Sequence, residues 1–78
     1  FIRGAKMEKE MSKLNQNIVH ALSYALSGVE SYTAWLADAK EMDRMAYHEI
    51  FEELLADAQK AVGKLRGMIE GHVKMDRW

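Results

Sequence analysis

YHEIFEELLADAQKAVGKLRGMIE, residues Tyr47 to Glu70, reads as one clean helical pattern. Tyr47, Phe51, Leu54, Ala58, Ala61, Leu65 and Met68 recur at alternating steps of four and three, which places them on one side of a helix. A parallel stripe runs through Leu55, Val62 and Ile69. Glu49, Glu53, Ala56, Lys60 and Gly67 occupy the other side. The pattern predicts a helix that fades around Gly71 and leaves HVKMDRW as a loosely ordered tail, residues 72–78.

Upstream, the same steps connect Met7, Met11, Leu14, Ile18, Ala21, Ala25, Gly28, Tyr32, Trp35, Ala39 and Met42, flanked by a second stripe of Leu22, Val29 and Leu36. Lys13, Gln16, His20, Ser23, Ser27, Ala34 and Asp38 form the opposite, mostly polar face. This predicts a first helix beginning between Met7 and Ser12, with Ser12 a possible N-cap. Period-two alternation is absent, so a strand reading fails. Neither Gly nor Pro marks the turn; the polar run KEMDR, Lys40 to Arg44, is the break, with Asp43 expected as N-cap of the second helix.

Composition narrows the function classes. At 78 residues the chain holds a single helical domain, with residues 1–6 read as an upstream extension or remnant ahead of a possible start at Met7. The absence of cysteine excludes disulfides, thiolate metal sites and thiol nucleophiles, and accords with a cytoplasmic setting. Eleven basic against twelve acidic side chains give a net charge of -1, with no basic excess for nucleic acid. No apolar run is long enough for a membrane span.

Two helices, each about 45 Å long, form an antiparallel hairpin. Each carries two adjoining apolar stripes, and a hairpin turns only part of such a wide face inward. The expected all-α solution is a homodimer in which two hairpins pack as a four-helix bundle.

The segment Ile50-Phe51-Glu52-Glu53-Leu54, followed by a charged stretch, Leu65-Arg66 and Met68-Ile69-Glu70, resembles the second helix of the rubrerythrin-type branch of the ferritin-like superfamily. GVESYTAWL, Gly28 to Leu36, is similar to the family segment in which a ligand glutamate precedes an aromatic residue by seven positions. The resemblance spans roughly Leu22 to Glu70 and implies a four-helix ferritin-like fold. It also locates where a di-metal site would be. Such sites use an inward Glu on one helix and Glu-x-x-His on the next. Those positions fall here on Gly28, Ala58 and Ala61. The resemblance therefore implies the family's form without its redox chemistry, and no cofactor is assigned.

Other side chains offer alternatives. Glu30 could replace the missing glutamate, but it lies about 100° around the helix from the Ile18–Ala25–Val29–Leu36 line, where a solvated carboxylate is the simpler reading. His48 and Glu52 are four residues apart and, with Glu49 nearby, could ligate a surface metal, although they also suit an ordinary helix-surface pair. His20 falls on the polar side and His72 at the end of the second helix. The six methionines, which could suggest a haem ligand or an adaptable groove, are explained by core and edge filling. Gly63, Gly67 and Gly71 form an outer ridge that either admits a neighbouring helix or weakens its own. Tyr32 and Trp35 face a lane of Ala21, Ala25, Gly28, Ala58 and Ala61, which rings fill or which stays a small cavity.

The expected function is a non-catalytic homodimeric bundle with a structural or partner-binding role. Two alternatives stand beside it. One is a ferritin-like metal-binding oxidoreductase or storage protein using Glu30, His48 and Glu52; the other is a small-ligand module in the bundle core.

Overall fold

The computed structural model describes residues 2–78, and side chains from Met11 onward. Phe1 and the side chain of Met7 lie outside the described residues. Two helices, α1 (Ile2–Glu41) and α2 (Met45–Lys74), fold back on each other as a rod of 62 × 18 × 14 Å. Among the described residues there is no strand, and no helix is long and apolar enough to cross a membrane. The absence of proline leaves both helices uninterrupted.

α1 begins at Ile2, ahead of the Met7–Ser12 window, and Ser12 lies within the helix instead of capping it. With neither proline nor glycine between Ala5 and Ser27, the backbone has no local reason to start later.

The turn falls within KEMDR, but Asp43 does not cap α2. It closes α1 instead. Its φ is +55°, in the left-handed region. The Asp43 N–H donates to Lys40 O at 3.2 Å and the Arg44 N–H to Ala39 O at 3.0 Å, the pairing of a Schellman end. The short side chain of aspartate tolerates this conformation better than most. Arg44 is the N-cap of α2 (φ -110°, ψ 91°), with no side-chain capping bond.

The sequence Met-Asp-Arg recurs at Met75–Arg77, with the same geometry. Asp76 has φ +55°, its N–H donates to Val73 O at 3.1 Å, and the Arg77 N–H donates to His72 O at 2.8 Å. α2 consequently runs past Gly71 to Lys74, and HVKMDRW contains its last turn and a closed end. The carbonyls left free at the end of α2 are taken up by backbone donors of the tail, which sequence periodicity does not register.

Packing also sharpens the stripes. The inward positions are Met11, Asn15, Ile18, Leu22, Ala25, Val29, Tyr32, Leu36 and Ala39 on α1, and His48, Phe51, Leu55, Ala58, Val62, Leu65, Ile69 and His72 on α2. Each series steps strictly by threes and fours, the spacing of a two-stranded seam. The seam runs along the border of the two stripes seen in each helix, so Leu14, Trp35, Met42, Tyr47 and Met68 stand outside it. The faces read as polar, including His20, Ser27 and Asp38 on α1 and Glu49, Glu53 and Lys60 on α2, are exposed.

Asp43 in the left-handed region generates the first prediction. Asp43→Gly should stabilise the fold by about 0.5–1 kcal/mol by relieving left-handed strain. Were Asp43 an N-cap, removing its side chain would destabilise instead; urea unfolding gives the sign.

Candidate functional site

The seam leaves two long flanks with different chemistry. On one lie Ser12, Val19, Leu26, Thr33 and Lys40 of α1 beside Glu52, Gln59, Arg66 and Val73 of α2, a mixed and partly charged set. On the other lie Leu14, Ala21, Gly28, Trp35 and Met42 beside Tyr47, Leu54, Ala61 and Met68, none of them charged. Leu14, Trp35, Met42, Tyr47 and Met68 on this second flank are 46–69% exposed. It is the candidate functional surface.

At the turn end, Trp35, Met42, Tyr47 and Phe51 line an open apolar hollow of about 490 Å³ with Asp38 and Arg44 at its edge. Trp35 is held by edge contact with Tyr32 (centroids 5.6 Å apart, 71° between planes) and by Phe51 at 5.9 Å. Trp35 thus lies over the turn-end hollow and not in the lane of small residues. That lane is a shallow dent of about 360 Å³ bordered by Tyr24, Tyr32 and Leu54 and floored by Ala25, Gly28, Ala58 and Ala61. A Cβ on Gly28 would meet the Tyr32 ring at 3.4 Å and Ala58 Cβ at 3.6 Å, both ordinary van der Waals distances, so the two helices are in contact there at a spacing that does not require glycine. Gly63, Gly67 and Gly71 face open space.

The alternative metal ligands are only partly assembled. His48 Nδ1 lies 3.4 Å from Glu52 Oε2, without hydrogen-bond geometry, and Glu52 is largely exposed. Glu30 is exposed on α1, and among the described residues no three His, Asp or Glu side chains converge within one chain. His20 is exposed and lines a hollow at the tail end with Asn15 and Trp78.

Asn15 is a site residue that the sequence reading missed. It is only 6% exposed, and its Nδ2 donates to Arg77 O at 3.1 Å, tying the end of the chain to α1. Its Oδ1 is buried without a partner. A signal was available: Asn15 completes the steps of three and four between Met11 and Ile18, but its polarity removes it from an apolar tally.

No family model matches the chain, and no curated protein and no solved structure matches it significantly.

Replacing Asn15 separates tail docking from core stability. Asn15→Leu should raise unfolding stability by about 1 kcal/mol by removing the unpartnered oxygen. The same change should lower hydrogen-exchange protection at Asp76 and Arg77, whose N–H groups close the end of α2, because the Nδ2 tether on Arg77 O is lost.

Proposed function

We infer that this chain is a non-catalytic homodimeric four-helix bundle, rubrerythrin-like in form without a di-metal site, serving a structural or partner-binding role in the cytoplasm. The uncharged flank carries this reading. Five large apolar side chains remain exposed along it, while on the hairpin's own seam no described side chain is fully buried. Fully burying one such side chain is worth roughly 1.5–3 kcal/mol, so a second copy on this flank supplies the core that one hairpin lacks. Small uncharged residues at Gly28, Ala58 and Ala61 support a packing role over metal chemistry.

Sedimentation equilibrium at micromolar concentration should give the mass of two chains. Trp35→Glu should shift the equilibrium toward monomer, since a carboxylate would be buried without a partner. A folded, unmodified monomer under these conditions overturns the reading.

The His48–Glu52 contact supports the alternative of a metal-binding oxidoreductase completed by Glu30, and metal content separates the two. Elemental analysis after mild purification should find iron, manganese and zinc well below one per chain; stoichiometric metal lost in His48→Ala would favour the alternative.

A further inference from the structure

The arrangement of the two copies follows from the uncharged flank and rests on the dimer reading above. Gly28 against Ala58 and Trp35 against Phe51 fix the register of the hairpin. That register sets Ala61 level with Ala25, between Ala21 and Gly28. The middle of the flank is therefore made of small residues, and the shallow dent lies there. Large side chains stand toward both ends: Leu14 and Met68 at one, Trp35, Met42 and Tyr47 at the other. Tyr24, 78% exposed, stands at the same middle level on α1.

We propose that the second copy docks on this flank with its turn at the opposite end, so that α2 meets α2 antiparallel about a two-fold axis at Ala61. Each helix then lies on its own counterpart. Ala61 faces Ala61 of the second copy at the axis, where close approach is needed, and Leu54 meets Met68 on either side. On α1, Ala21 meets Gly28 and Leu14 meets Trp35, large beside large and small beside small in successive layers along the interface.

Charge complementarity selects this arrangement. Bordering the flank on the outer side of α2 are Asp57 and Lys64, two helical turns apart and both exposed. An axis at Ala61 sets each Asp57 opposite the other copy's Lys64, giving two equivalent ion pairs. The other antiparallel stacking places both turns at one end and lays α2 on α1. It sets Asp57 opposite Ser31, Lys64 opposite Tyr24 and Asp38 opposite Ile50, and pairs no charges. Opposite charges at the rim specify register and orientation more than they add affinity.

The chain has no cysteine, so single introduced cysteines report the geometry directly. Ala61→Cys should form a disulfide-linked dimer on mild oxidation, whereas Gln59→Cys on the mixed flank should not. Asp57→Lys and Lys64→Asp should each weaken the dimer about tenfold, and the double reversal should restore it. Sedimentation of the unmodified chain separates the two readings. A dimer in which Ala61→Cys does not cross-link, or in which the double reversal is no tighter than the singles, overturns the antiparallel α2 arrangement alone. A monomer overturns both this arrangement and the dimer.

Discussion

The hairpin is organised by a mismatch between the width of its apolar faces and the width of the seam that joins them. Residues stepping by threes and fours present one narrow ridge to the neighbouring helix. Both helices carry apolar side chains beyond that ridge, and the excess falls on the same side of the hairpin because α1 and α2 run antiparallel. Leu14, Trp35 and Met42 come to lie beside Tyr47, Leu54 and Met68. A single flank is thus left uncharged and uncovered, and the functional reading of the molecule depends on that asymmetry.

The ends of the helices are settled by a second, local constraint. Each last turn must satisfy its free carbonyls, and in both helices a left-handed aspartate turns the backbone so that the following arginine N–H reaches back. At Met42–Arg44 this produces a turn tight enough to send α2 straight back along α1. At Met75–Arg77 it closes α2 and brings Arg77 O to Asn15. The two copies of one tripeptide therefore do different work. One reverses the chain, and the other gives Asn15, among the described residues the one buried polar side chain, a hydrogen-bond partner.

The chemistry of the interior follows from what stands at the level of the dent. Gly28, Ala58 and Ala61 bring no side-chain donor atoms, and the polar side chains lining the dent are Asp57, Tyr24 and Tyr32. The His48–Glu52 contact lies elsewhere, between a seam histidine and an exposed glutamate of α2 near the turn. Such an interior is suited to close packing between helices. It offers no converging set of ligands.

The sequence by itself determined the helices, the position of the turn and the polar outer faces, because these depend on periodicity and on a local break in it. It also placed the small residues Gly28, Ala58 and Ala61, which carry no side-chain donor atoms, on the apolar stripes. Tertiary structure decided where the seam lies within each wide face, since an apolar stripe defines a side of a helix but not which of its edges meets the neighbour. The role of Asp43 likewise required the structure, because an aspartate beside a helix start reads as an N-cap until its φ and backbone hydrogen bonds are known. The partner of Asn15 depended on a contact across sixty-two residues, and no local pattern encodes that distance.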